Sequence, residues 1–261
     1  MNIGKEAVTV IVGMGEVGKP LYTILQKRDP EIIGIDIEPV SIDRCVGILH
    51  VCFPFKDSAQ FQDTVASYAS KYSPEVIVVN STVAPGTTRA IENHTGIPCV
   101  FSPIRGKHTK MVDDLYVYVK FVAGTVAEAA ERVQEHFRAA GLQSETISTP
   151  EALELAKLLE TTYFGLLIAW AQEMNRFAVA MNADYLEMGK FFREIAYLPS
   201  VLFQPGIIGG HCVIPNIGIL QQRFQSDFMD AVKSSNEARK TELSAQEQQH
   251  AGERLQPLAL A

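Results

Sequence analysis

Cysteine is scarce in this chain. Its four thiols, Cys45, Cys52, Cys99 and Cys212, form no CxxC pair and are too few for a disulfide scaffold, which excludes a stapled secreted fold and suits a reducing compartment. Positive charge is also in deficit. A formal charge of -7, with no run of Lys or Arg to override it, leaves no electrostatic footprint for a phosphate backbone and argues against a nucleic-acid ligand. Long hydrophobic runs are missing too, since none approaches the ~18 residues needed to span a bilayer. The opening "MNIGKEAVTVIVG" enters a strand pattern without a charged region, apolar region and cleavage site, so a cytoplasmic protein is expected. No His/Cys set has metal-ligand spacing, and His211 beside Cys212 reads as a turn residue.

What is present is a chain of 261 residues, 47% apolar and 20% charged, long enough for about one to two domains with a proper core. Its first half alternates strands and helices. Apolar β-branched runs at 7–13, 31–37, 46–54, 74–82 and 97–103 are separated by helical spacing at 19–28 and 58–72. A further strand at 116–124, a helix at 126–141 and a short strand at 144–149 extend the pattern. Strands apolar on both faces with helices between them predict a doubly wound parallel α/β sheet of Rossmann type over residues 1–149.

Between the first strand and the first helix stands Gly13-Met14-Gly15-Glu16-Val17-Gly18, a GxGxxG turn. The first glycine permits the tight turn, the second lets a pyrophosphate approach the backbone, and the third lets helix and strand pack closely. Asp36, at the end of the second strand, is placed to accept from a ribose 2'-OH and to repel a 2'-phosphate, so NAD is expected rather than NADP. Gly13, Gly15, Glu16, Val17, Gly18, Asp36, Pro54 and Thr82 form the expected cofactor set.

After residue 149 the pattern becomes helical. Thr149 is a plausible N-cap with Pro150 at the first helical position, and residues 150–182 read as one helix roughly 50 Å long at ~1.5 Å per residue. It is apolar around its circumference from Tyr163 to Met181, so it must be buried in a larger helical domain or against a second copy, and a homodimer through this helix is expected. Gly165 marks either a close crossing or a local weakness. An all-helical domain over 150–240 and a polar tail over 241–261 complete the expected organisation.

Five segments, "IVGMGEVGKPL", "NSTVAPGTT", "AKLLETTYFGLLIAWAQEMNRFA", "PGIIGGHCVIP" and "FMDAVKSSNEA", together resemble the UDP-glucose/GDP-mannose dehydrogenase family of NAD-dependent nucleotide-sugar dehydrogenases, in family order. The resemblance implies that Cys212 is the nucleophile that captures an aldehyde as a thiohemiacetal. It implies likewise that Lys157 stabilises the developing oxyanion and that Thr82 lies near the nicotinamide and the reacting carbon. Three positions depart from the family. Ile104 stands where a glutamate follows proline, Thr161 where an asparagine lies one turn after the lysine, and Asn216 where an aspartate lies four residues after the cysteine. Isoleucine cannot orient water, so the departures bear on thioester hydrolysis rather than on hydride transfer.

The resemblance ends near residue 240, before the second nucleotide-gripping domain of the family. The expectation is a substrate smaller than a full nucleotide sugar, or a partner chain that supplies the grip. On the loop after the strand ending near Phe101, Arg105, Lys107 and His108 suit an anionic substrate group, and an ordinary solvated basic loop is the alternative. Thr161, sharing a helix face with Lys157, joins that substrate set. Three functions stay open: a nucleotide-sugar-type dehydrogenase acting on a sugar nucleotide or a smaller phosphorylated or carboxylated alcohol; a two-electron hydroxyacid-type enzyme using Lys157, with Cys212 incidental; and a non-catalytic NAD-binding subunit.

Overall fold

The structure, a computed structural model, describes residues 7–254 apart from 39, 107, 197, 199, 200 and 211. The chain divides into two compact units between Leu158 and Leu159, so the first turns of the long helix belong with the sheet.

The first unit is built on a seven-stranded sheet: β1 (Val8–Val12), β2 (Ile33–Ile35), β3 (Val46–Val51), β4 (Val76–Val79), β5 (Cys99–Phe101), β6 (Lys120–Gly124) and β7 (Ser144–Thr146), in the order β2-β1-β3-β4-β5-β6-β7. Every residue of β1, β3 and β4 is buried, as the unbroken apolar runs require of strands covered on both faces. Around the sheet lie α1 (Gly18–Leu25), α2 (Ser58–Tyr72), α3 (Thr87–Thr95), α4 (Met111–Val117) and α5 (Ala127–Ala139). Asp57 caps α2 by accepting from Gln60 N–H at 2.9 Å.

β1 to β5 are parallel, but β6 pairs antiparallel with β5, Phe101 facing Ala123, and β7 then follows β6 in parallel. The wholly parallel expectation is corrected there. Between β5 and β6, α4 lays Met111 and Leu115 into the core, and the chain re-enters the sheet beside β5 in the opposite direction. Tyr116 and Val117, expected to open this strand, instead form the last turn of α4. Their β propensity is overridden by the burial of Met111 and Leu115 in the apolar core around Ile11, Leu21, Val100 and Phe137.

The second unit is helical: most of α6 (Pro150–Ala180), then α7 (Tyr185–Arg193), α8 (Val213–Gln221) and α9 (Asp227–Arg254). α6 is one continuous helix of 31 residues, and Thr149 Oγ1 accepts from Ala152 N–H at 3.2 Å at its start. Just past its end, Asn182 takes a left-handed φ of 52°. Gly165 is the close crossing: a Cβ there would lie 2.6 Å from Val213 Cγ1 and 3.4 Å from Val232 Cγ1, so α8 and α9 pack directly on its backbone. α9 runs on through Arg254, into the segment expected as a polar tail, and its Glu242 pairs with Arg176 at 2.5 Å. Among the described residues no helix is long and apolar enough to cross a membrane.

Candidate active site

The glycine turn has the geometry its spacing predicts. Gly13 has φ 93°, and a Cβ on it would meet Phe53 N at 2.7 Å. A Cβ on Gly18 would lie 1.9 Å from Gly13 O, so no side chain fits between β1 and α1. Gly15, by contrast, has nothing within 4 Å of its Cβ position, which leaves its backbone open to a ligand. The two outer glycines are needed by the fold, and the middle one is not. Val17 takes the N-cap position of α1 and Glu16 beside it is exposed.

From β1 the chain steps to β2 on one side and then to β3 on the other, so this turn lies at the point where strand order reverses, where open α/β sheets bind ligands. Asp36 follows β2 there. Its Oδ1 accepts from Met14 N–H at 3.2 Å, which ties the carboxylate to the turn while the side chain stays exposed. Pro54 after β3 is exposed, and Thr82 after β4 is half-buried on the same carboxyl edge. The first unit thus gathers the cofactor set expected from sequence onto one edge of one sheet.

Beneath that edge runs a buried polar seam that sequence reasoning missed. Lys120, at the start of β6, is 2% exposed. Its Nζ donates to Ser102 Oγ at 2.8 Å, Pro103 O at 3.2 Å and Asn80 Oδ1 at 3.3 Å, as well as to Ser102 O, and sits 4.9 Å from the Phe137 ring centre. Asn80 Nδ2 donates to Val78 O at 3.1 Å and lies 3.2 Å from His50 Nδ1. That contact makes Nδ1 the acceptor and puts the His50 proton on Nε2, facing His136 Nε2 at 3.3 Å. Burial, then the Lys157 and Arg105 charges, lower Lys120 to a pKa of about 7 against an attraction from Cys52. Burial likewise holds His50 well below the usual histidine range and His136 at about 4. The seam joins the ends of β3, β4, β5 and β6. Its trace in the sequence is a lone polar residue inside each of two apolar strands, "VGILHV" and "KFVAG".

The loop after β5 is committed in part to the fold. Arg105 Nη2 donates to Val119 O at 2.9 Å, and its guanidinium lies 5.1 Å from the Phe121 ring centre and 5.7 Å from that of Tyr118. Ile104 is 7% exposed and packed in the core, so the position read as a missing carboxylate is filled by apolar packing. Lys107 lies outside the described residues, and His108 opens a short 3-10 turn, His108–Lys110.

Glu154, in the first turns of α6, is fully buried. Its carboxylate accepts from Gly86 N–H at 2.6 Å, Thr88 N–H at 2.8 Å and Thr88 Oγ1–H at 2.6 Å. It therefore caps α3 and fixes the loop that carries Thr82. Burial raises its pKa, and these three bonds oppose the rise. Lys157, three residues on and half-buried, lies next to the end of the first unit, and its charge reaches Lys120.

Cys212 and Thr161 belong to the second unit. Cys212 is exposed at the N-cap of α8, and its carbonyl accepts from Asn216 N–H at 3.0 Å. Gly209 and Gly210 have nothing within 4 Å of their Cβ positions, and Gly210 has φ 78°. His211 lies outside the described residues. The two neighbouring departures meet: Asn216 Nδ2 donates to Thr161 Oγ1 at 3.0 Å, so an amide and a hydroxyl satisfy one another with Asn216 5% exposed. Among the described residues, no three His, Cys, Asp or Glu side chains gather as metal ligands.

The sheet order and glycine turn define a Rossmann-type α/β fold. Residues 151–240 match the UDP-glucose/GDP-mannose dehydrogenase family, central domain. The UDP-N-acetyl-D-mannosamine dehydrogenase of Methanococcus maripaludis is 22% identical over 275 residues, covering 87% of this chain and 64% of that protein. Protein CapL of Staphylococcus aureus is 28% identical over 157 residues, 54% of this chain and 36% of its own. Among solved structures, the UDP-D-ManNAc dehydrogenase of Pyrococcus horikoshii superposes with a TM-score of 0.78 at 16% identity, over 91% of this chain and 70% of that one. The 3-hydroxyisobutyrate dehydrogenase of Mycobacterium tuberculosis gives 0.70 at 11% identity, over 89% and 94%. Residues 151–240 are thus similar to the central domain of the UDP-glucose/GDP-mannose dehydrogenase family, and the chain spans under two thirds of the length of the curated relatives it matches.

Proposed function

We propose that this protein is an NAD-dependent oxidoreductase that acts on the CH–OH group of a sugar nucleotide or a smaller anionic alcohol, with Cys212 as the group that captures the resulting carbonyl. The observation that carries the reading is the turn at residues 13–18: outer glycines that admit no Cβ, an open Gly15, and Asp36 tied to the turn at the end of β2. These residues fit a dinucleotide. Gly15 offers backbone to the pyrophosphate, the α1 N-terminus favours its charge, and Asp36 accepts from the ribose.

NAD, when bound, supplies the acceptor for the hydride lost from the alcohol carbon. The chain supplies the rest. Thr82 borders the edge where that carbon is presented, and Lys157 stabilises the oxygen as its proton leaves and negative charge develops. The Cys212 sulfur then bonds to the aldehyde carbon, the carbonyl π pair moves to oxygen, and that oxygen takes a proton, giving a thiohemiacetal. A second hydride, passed to a second molecule of NAD that replaces NADH, leaves together with the hydroxyl proton to give a thioester, which water must cleave to the acid and the free Cys212 thiol.

Curated relatives named for UDP-N-acetyl-D-mannosamine make that sugar nucleotide the first substrate to assay. NADH formation followed at 340 nm, with product identified by mass spectrometry, tests the reading. Wild type gives NADH and acid, whereas Cys212→Ser keeps NAD affinity but forms no acid; acid formation by Cys212→Ser overturns the covalent role. A second reading, a two-electron enzyme using Lys157 as acid/base, is favoured by Ile104 being buried in the core and by the neutral Asn216–Thr161 pair. It predicts one NADH per product and loss of turnover only in Lys157→Ala. The exposed Tyr163, Trp170 and Phe177 on α6 support a homodimer through this helix, and four free cysteines suit the cytoplasm.

A further inference from the structure

We infer that Asn236, backed by Gln172 and Ser235, is the positioning residue that holds the loop leading into Cys212. Between α7 and α8 the described residues form no helix or strand, so the backbone groups there need partners from outside the loop. One point of the loop is deeply buried. Ile208 is 4% exposed, whereas Ile207 is 47% exposed and Gly206, Gly209 and Gly210 face solvent. Asn236, itself 1% exposed, serves both polar groups of that residue: its Oδ1 accepts from Ile208 N–H at 2.7 Å and its Nδ2 donates to Ile208 O at 3.2 Å. A single amide thus does what a neighbouring strand would do, and these two bonds fix which way it faces.

Behind it, Gln172, fully buried on α6, donates through Nε2 to Gly206 O at 2.7 Å, and its Oε1 accepts from Ser235 Oγ–H at 2.9 Å. Arg176 closes the far side, donating to Ser235 O at 2.9 Å and to Ser235 Oγ at 3.1 Å while pairing with Glu173 and Glu242. Every member has a partner, and such a network selects one arrangement because each alternative leaves a buried group unpaired. Downstream of this anchor come the two open glycines, which supply no packing of their own, and then the thiol. The start of that glycine hinge, and with it the approach of Cys212, is set by Asn236. Its importance for turnover rests on the proposed role of Cys212; its hold on the loop does not.

The test uses the full chain with Asn236→Leu, which removes both bonds, and Asn236→Asp, a near-isosteric change that keeps the acceptor and loses the donor. Hydrogen exchange by mass spectrometry reads peptides spanning 203–212 against peptides from β1 and α1. Exchange at 203–212 is expected to rise by about tenfold or more in the leucine variant and by less in the aspartate variant, with β1 and α1 unchanged. NAD affinity is expected to hold while kcat falls ~100-fold, the scale of a misplaced reacting group. Unchanged exchange at 203–212 in both variants overturns the inference, as does a rise spread evenly over α6, α8 and α9, which marks a packing residue. A confined rise with kcat unchanged supports the hold on the loop and counts against Cys212 in the reaction. If Asn236→Leu does not fold, Asn236→Asp carries the test alone.

Discussion

The two units bury their residues by opposite rules. In residues 7–158 the large apolar side chains lie inside a sheet covered on both faces, and the exceptions, such as Ile37 at 86% and Val117 at 66% exposed, sit on loops and at a helix end. In the second unit the exceptions lie on the helices as well, with Tyr163, Trp170 and Phe177 each more than half exposed on α6, and Phe191 on α7 and Phe228 on α9 more exposed still. A sheet with helices on both sides completes its own core, whereas a long helix apolar around its circumference has more surface than three companions can cover. The first unit therefore should carry the chain's intrinsic stability and the second its assembly. Each also keeps one buried polar device, the Lys120–Asn80–His50 seam and the Gln172–Ser235–Asn236 network, placed where the chain leaves regular structure.

The sharpest break of this contrast is at the glycine turn. Gly18→Ala drives a methyl into Gly13 O and should cost about 3 kcal/mol or more in urea unfolding, a backbone clash being worse than ordinary overpacking. Gly15→Ala meets nothing, so stability should stay within about 0.5 kcal/mol while dinucleotide affinity falls. Equal destabilisation by both would refute the division of roles among the glycines. Next comes Glu154→Gln, which sets an amide NH2 against N–H groups that now donate to a carboxylate; a loss of about 2–3 kcal/mol is expected.

Lys120→Met sharpens the account of the seam. Lys120 releases its proton near pH 7 in the folded protein and near 10.5 when unfolded. Between those values the unfolded chain holds more protons, so stability should rise with pH across that window, by up to about 1.4 kcal/mol per pH unit, and the slope should end below pH 7 where both states are protonated. Lys120→Met should lack this component, and parallel stability profiles for the two proteins would contradict it. The smallest effect on folding is expected from Trp170→Glu, within about 0.5 kcal/mol. The same change should convert a dimer to a monomer by light scattering, and a wild-type monomer at micromolar concentration would remove α6 as the assembly surface.

What could be read from the sequence follows from how local each requirement is. The Gly13–Gly18 turn was legible because backbone geometry is written directly in residue type at fixed spacing. α2 was legible from its period, and the unbroken α6 from its period with Thr149 and Pro150 at its start. The antiparallel β6 was not, because Tyr116 to Val119 alternate like a strand and only the packing of Met111 and Leu115 decides otherwise. Lys120, Asn80 and His50 each look incidental alone, and the bonds joining them span 30 and 40 residues of chain. Thr161 and Asn216 were noticed as separate departures, but their mutual hydrogen bond lies 55 residues apart in sequence.

Dinucleotide binding by the first unit is the claim on which the rest stands, and calorimetric titration of the whole chain with NAD and NADP tests it most directly. NAD is expected to bind at least about tenfold more tightly, ~1.4 kcal/mol, and Asp36→Ala to close the gap. Equal affinities in the wild type would remove Asp36 from the site, and binding of neither dinucleotide would contradict the account as a whole.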